Sequence, residues 1–268
     1  MEFEQGWTER QPHCHRALFL SDLHLGTIGC RADLILQFLE QNTAEVIYLV
    51  GDIFDLWDPL VRRWGETHGQ IVNLLRERSE AGARLVYLAG NHDRFMLADG
   101  GQDDRTALPV TPVTSAEHMA ADGRRYLVLH GDVCDARILR FHMLTRIGSR
   151  ADSLLRLADA GLRRMRLSIG PDDRGPIEWA LSAVSDLLYR GRRHERRLVA
   201  LAQAGGHDGV ICGHFHIAAM HEDFGLLYVN CGDWVDSFTA VAEGADGTLR
   251  LLSAIATPAE DALAEAIA

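Results

Sequence analysis

The chain has 268 residues, 47% of them hydrophobic, and a formal net charge of −11, the profile of an ordinary globular protein with enough apolar material for a core. No apolar run reaches the roughly 20 residues of a spanning helix, and the polar, acidic N-terminus reads neither as a signal peptide nor as a membrane span, so a cytoplasmic location is expected. The five cysteines are scattered without a C-x-x-C pair, a spacing of neither a disulfide framework nor a zinc–thiolate site, and the acidic balance argues against a general nucleic-acid binder.

Along the chain, His13-Cys14-His15 comes before the first apolar run and reads as a disordered end. Residues 17–24, ALFLSDLH, form the first expected strand and finish on Asp22 and His24. Residues 31–41 set Leu34, Ile35, Phe38 and Leu39 at helical spacing, and 46–52 is a second strand ending on Gly51-Asp52. A second helical pattern, 69–81, carries Ile71, Val72, Leu74 and Leu75 and stops at Gly82. The third strand, 84–93, ends in Gly90-Asn91-His92-Asp93, and the fourth, 125–132, in His130-Gly131-Asp132, where Asp132 reads as a turn residue.

From Asp22 to Asp52 to Asn91 to His130 each interval is 30 to 39 residues, as strand–helix units give, but the next, to His214, is 84. The excess predicts a helical insertion over 134–206, dividing the chain into a core of 1–133 and 207–268 and an inserted cap. Between residues 134 and 200 there are 14 Arg against 8 acidic residues, a basic segment in an acidic protein and a receiver for phosphate or an anionic membrane surface. Within it, 152–166 is amphipathic, with Leu154, Leu155, Leu162 and Met165 on one face. The fifth strand, 209–216, ends on His214 and His216; strands at 225–231 and 237–253 follow, with turn residues at Gly244 to Gly247. His194 reads as part of a charged helix face, and Trp57, Trp64, Trp179 and Trp234 as core or rim.

Strand–helix–strand alternation predicts right-handed crossovers and a largely parallel sheet, with ligands gathered at the carboxyl ends of its strands. All five carboxyl ends carry Asp, Asn or His. Each motif alone is weak; the ordered set is not an accident. Carboxylate, imidazole and amide donors together suit Mn²⁺ first, with Fe, Zn²⁺ or Co²⁺ as alternatives.

The series Asp22-Leu23-His24, Gly51-Asp52, Gly90-Asn91-His92-Asp93, His130-Gly131-Asp132 and Gly213-His214-Phe215-His216 resembles the calcineurin-like metallophosphoesterase family. That resemblance implies an α/β fold, an αββα sandwich of two mixed β-sheets with a helical cap insertion. It implies two divalent ions, one on Asp22, His24, Asp52 and His216, the other on Asp52, Asn91, His130 and His214, with Asp52 bridging. Such a pair lowers the pKa of a bridging water and clamps the attacking and leaving oxygens of an in-line displacement at phosphorus. His92, without a metal in this scheme, is the expected catalytic acid for the leaving oxygen, with Asp93 orienting its ring.

GDIFDLW (51–57) and NCGDWVDS (230–237) further resemble the UDP-2,3-diacylglucosamine diphosphatase branch, which releases UMP and an acylated sugar phosphate at the inner membrane. The expected substrate is therefore a phosphorylated small molecule or lipid-linked compound, with the basic cap making peripheral membrane contact and no nucleic acid involved. His92 stands where that branch has Arg, which points to an alternative: a phosphodiesterase or phosphomonoesterase whose leaving group needs a proton. A non-catalytic metal-binding scaffold is the remaining alternative, disfavoured by the presence of all seven ligands.

Overall fold

The computed structural model describes residues 12–27, 29–55, 63–93, 104–134 and 192–255. Strands β1 (His13–Leu20), β2 (Asn42–Val50) and β3 (Arg84–Leu88) run parallel, joined by helices α1 (Ala32–Gln41) and α2 (Glu66–Glu80). Strands β4 (Ser115–Met119), β5 (Arg125–Leu129), β6 (Gly209–Cys212), β7 (Ala219–His221) and β8 (Leu227–Asn230) build a second sheet in the order β4-β5-β6-β8-β7. The hairpin of β9 (Thr239–Glu243) and β10 (Leu249–Ser253) returns to the first sheet, whose order is β10-β9-β1-β2-β3. Both sheets are mixed: in the second a parallel centre is flanked by antiparallel edge strands, and in the first the parallel strands β1, β2 and β3 carry an antiparallel hairpin on the β1 side. Helix α3 (Arg193–Ala204) lies on the second sheet.

Alternation along each strand makes the layers. In β1, Ala17 and Phe19 face the second sheet, where they meet Tyr126, Val128, Ile211 and Val229. Leu18 and Leu20 face the other way, against Ile35, Phe38, Leu39, Ile71 and Leu75 of α1 and α2. In β6, Ile211 points between the sheets while Val210 and Cys212 pack under Leu198, Val199 and Ala202 of α3. A period of two on strands and an apolar stripe on each helix thus give four layers, helix–sheet–sheet–helix. The expected αββα sandwich of two mixed sheets is the observed fold.

Some local expectations need correction. His13-Cys14-His15 is not a loose end: β1 begins at His13, and His15 Nε2 lies 2.9 Å from Asn42 Oδ1. Helix α3 falls inside the segment read as the cap, yet its apolar stripe packs on the core sheet. His194 is nearly buried, its ring 4.0 Å from that of Phe215. Strands β4 and β7 were not foreseen. Residues 135–191, which hold most of the cap segment with the amphipathic stretch 152–166 and Trp179, lie outside the described residues, as does Trp57. No helix among the described residues is long and apolar enough to cross a membrane.

Candidate metal centre

Parallel register aligns the carboxyl ends of β1, β2 and β3, with Leu20 opposite Leu49 and Val50 opposite Leu88, so Asp22, Asp52 and Asn91 leave the sheet side by side. The second sheet delivers His130 after β5 and His214 with His216 after β6, also parallel neighbours. Backbone bonds lace these ends together: Asp22 N donates to Gly51 O (3.0 Å), His24 N to Asp52 O (2.9 Å) and Gly213 N to His130 O (2.9 Å). The motif glycines are needed for closeness. A Cβ on Gly90 would strike the Asp52 carboxylate, and one on Gly51, at φ +83°, would strike the His130 ring.

Six of the seven expected ligands fall into two groups. In the first, Asp22 Oδ1 lies 3.2 Å from His216 Nε2 and 3.7 Å from His24 Nε2, and the two imidazole nitrogens face each other at 3.4 Å. The second comprises Asp52, His130 and His214, with one donor atom of each within 4.8 Å of the others and Asp52 Oδ2 3.2 Å from His130 Nε2. The groups interlock, because the amide of His214 donates to Asp22 Oδ2 at 2.8 Å. Asn91 is the seventh; its Oδ1 is buried and has no hydrogen-bond partner among the described residues. Among the described residues Asp22 Oδ1 and His130 Nε2 likewise make no well-directed hydrogen bond, their 3.2 Å approaches to His216 Nε2 and Asp52 Oδ2 being close in distance only.

Unsatisfied lone pairs on buried oxygens and nitrogens cost on the order of 1–3 kcal/mol each unless something accepts them. Here they converge, and they belong to a carboxylate, an amide and an imidazole, the donor set of a borderline divalent cation. The site residues therefore fit metal ions. Electrostatics agree. Burial disfavours the charged forms of Asp22 and Asp52, but neighbouring histidines, His216 and His130 for the first and His130 and His92 for the second, outweigh it and hold both well below the usual carboxylate range. Burial likewise opposes charge on His24 and His130, yet the surrounding aspartates push each up to about 10. The cage thus demands positive charge, and protons on its histidines supply it where a cation does not.

Asp55 completes the site and was not foreseen. Its Oδ2 lies 3.2 Å from His24 Nδ1 and 2.9 Å from His92 Nδ1. Burial opposes ionisation of Asp55, but those two imidazoles bring it down to about 2. The expectation that Asp93 orients His92 is corrected: Asp93 turns inward, accepting from Ile53 N (2.8 Å), Gly90 N (2.6 Å) and the Tyr87 hydroxyl (2.6 Å). Burial and the charge of Asp52 raise Asp93 to about 6. The signal for Asp55 was present, an Asp three residues after Asp52 in a motif already noted.

A sequence profile described as calcineurin-like phosphoesterase matches residues 15–218, most of the chain. The chain belongs to the calcineurin-like phosphoesterase family. As a member it is a metal-dependent phosphoester hydrolase. Curated relatives include the UDP-2,3-diacylglucosamine hydrolase of Chromohalobacter salexigens, 28% identical over 76% of this chain and 81% of the relative. Its counterpart in Neisseria meningitidis serogroup B is 26% identical over 84% and 92%. That of Edwardsiella ictaluri is 26% identical over 91% and 94%.

Proposed function

We propose that the phosphoesterase holds two divalent ions, Mn²⁺ by preference, on the seven residues as the resemblance distributes them, with Asp52 shared. The observation that carries this is the pairing of two interlocked donor groups with buried donor atoms, Asp22 Oδ1, Asn91 Oδ1 and His130 Nε2, that make no well-directed hydrogen bond among the described residues. When bound, such ions supply Lewis-acid stabilisation of developing charge and lower the pKa of the attacking water. The chain's own residues do the rest. The amide of His92 donates to Asp52 Oδ1 at 2.8 Å, fixing that carboxylate's direction. Asp55 takes Nδ1 of His92, so the proton for a leaving oxygen would come from Nε2. Burial works against protonating His92, but the charges of Asp52 and Asp55 outweigh it and raise its pKa above the ordinary 6.5.

The substrate supported by the curated relatives is UDP-2,3-diacylglucosamine, cleaved to UMP and acylated sugar phosphate at the inner face of the cell membrane. In this reading the basic segment that starts at residue 134 supplies the arginines for an anionic surface or lipid-linked substrate, with α3 belonging to the core. A second reading is favoured by the Asp55–His92 pair. A phosphate leaving group needs little protonation, whereas an alkoxide does, so a proton donor backed by a carboxylate suits a phosphodiester or phosphomonoester.

Comparing hydrolysis of a nucleotide-sugar pyrophosphate with that of an alkyl phosphodiester, in wild type and His92→Ala, separates the two. The phosphodiester reading expects the variant to lose about 10²–10⁴-fold on the alkyl ester and far less on the pyrophosphate. Equal losses on both would remove the leaving-group argument.

A further inference from the structure

Asp233 lies in the loop between β8 and β9 and is fully buried. Its Oδ1 accepts the amides of Val235 (2.9 Å), Asp236 (2.6 Å) and Ser237 (2.9 Å), while its own amide donates to Ser237 Oγ at 2.7 Å. One oxygen is therefore committed to the turn. The other, Oδ2, sits 3.0 Å from His216 Nδ1, and no other described residue hydrogen-bonds to it. The next residue ties the same loop to the cage, Trp234 N donating to Asp22 O at 3.1 Å. At the far end of the His216 ring, Nε2 faces Asp22 Oδ1 and His24 Nε2, at 3.2 and 3.4 Å.

We infer that Asp233 is the positioning residue for His216, its Oδ2 taking the Nδ1–H so that Nε2 is left as the lone pair presented to the cage. This rests on the reading of the cage as a metal centre, and adds to it a residue that chooses the tautomer of one ligand. His216, Asp233 and Asp236 also stand at metal-group spacing, but three amide donors already fill Asp233 Oδ1, which suits an orienting carboxylate rather than a third ion. The turn explains why a carboxylate is required. In Asp233→Asn the carbonyl oxygen must remain with the three amides, because an NH₂ cannot accept them, so the NH₂ faces His216 Nδ1. That reverses the polarity of the contact: Nδ1 becomes the acceptor and Nε2 carries the proton, which blocks it as a ligand.

The test is to strip the full-length protein with chelator, titrate it with Mn²⁺ and count bound metal by mass spectrometry. Wild type is expected to bind two ions. Asp233→Asn is expected to keep the wild-type circular-dichroism spectrum when metal-free, at a lower melting temperature because the His216–Asp233 pair is lost, while one of its two ions binds about 10–100-fold more weakly. Two ions at unchanged affinity in Asp233→Asn would overturn the role of Asp233 alone. A wild type that takes up no pair of ions would overturn the metal-centre reading, and this inference with it. Should the variant not fold, imidazole nitrogen NMR of the Zn²⁺-loaded wild type decides. A protonated Nδ1 on His216 is the expected result, and a protonated Nε2 contradicts it.

Discussion

Five of the seven proposed ligands, Asp22, His24, Asp52, His214 and His216, have positive φ, between 45° and 72°. The left-handed region costs a residue with a Cβ about 1–2 kcal/mol, so the fold spends stability to turn these side chains inward at the strand ends. Such strain gathers where the surroundings over-determine it, as the backbone bonds from Asp22 to Gly51 and from His24 to Asp52 do here. Gly51 has the same geometry without a side chain. Gly51→Ala is expected to lose more than the backbone cost alone, because the new methyl displaces His130; a melting temperature several degrees lower, together with reduced metal content, is the predicted outcome. The histidines predict a pH dependence. In the metal-free protein His24 and His130 stand near 10 when folded and near the ordinary 6.5 when unfolded. The folded state therefore binds their protons more tightly, and this contribution is complete below pH 6.5 and disappears as pH rises towards 10. Melting curves in chelator should fall across that window, while Mn²⁺ affinity climbs over it as protons leave. A flat metal-free profile would contradict both. At this scale the ligands were legible because each sits at an abrupt polar end to an apolar run. Asp55 and Asp233 stand in the motifs GDIFDLW and NCGDWVDS, but an orienting carboxylate has no spacing rule, so only their contacts with His24, His92 and His216 assign the role.

At the scale of elements, Gly82 ends α2 as the sequence indicates. At φ +107° it allows Ala83 N to reach Arg78 O (2.9 Å) and Gly82 N to reach Ser79 O (3.1 Å), closing the last turn and starting β3. The central strands were readable as buried apolar runs. Strand β4, SAEHM, was not, because as an edge strand with alternating exposure it carries no apolar run, and β7 has only three residues. Yet β4 supplies an inter-sheet link. His118 Nδ1 meets the Tyr48 hydroxyl at 3.1 Å and its Nε2 meets Glu243 of β9 at 2.8 Å, joining the two sheets away from the metal cage. Burial lowers His118 below its ordinary 6.5, with Arg16 and Arg84 adding to burial against the pull of Glu243. A neutral Nε2–H donating to Glu243 fits that direction. The sign is opposite to that of the cage: the unfolded state takes up the proton more readily, so this contribution is present above pH 6.5 and is lost as pH falls below it. Replacing His118 by Gln should flatten the acid limb of the stability profile below pH 6.5 without changing metal content. An unchanged acid limb would show that the link does not titrate.

For the whole molecule, two sheets packed face to face bring five strand ends from distant parts of the chain onto one rim. Parallel register within each sheet sets their height, and the four-layer packing sets their separation from solvent. The sequence suggested this through the order of motifs and their near-even spacing. It did not reveal where the core resumes after the insertion, because the apolar stripe of α3, with Leu198, Val199 and Ala202, has the same period whether it packs on a cap or on a sheet. The central claim is that the rim is a two-ion cage. Anomalous diffraction at the manganese edge from crystals grown in Mn²⁺ tests it most directly. Two peaks about 3.5–4 Å apart are predicted, with Asp52 touching both, Asp22, His24 and His216 on one, and Asn91, His130 and His214 on the other. A single peak, or a pair lying elsewhere, would contradict it.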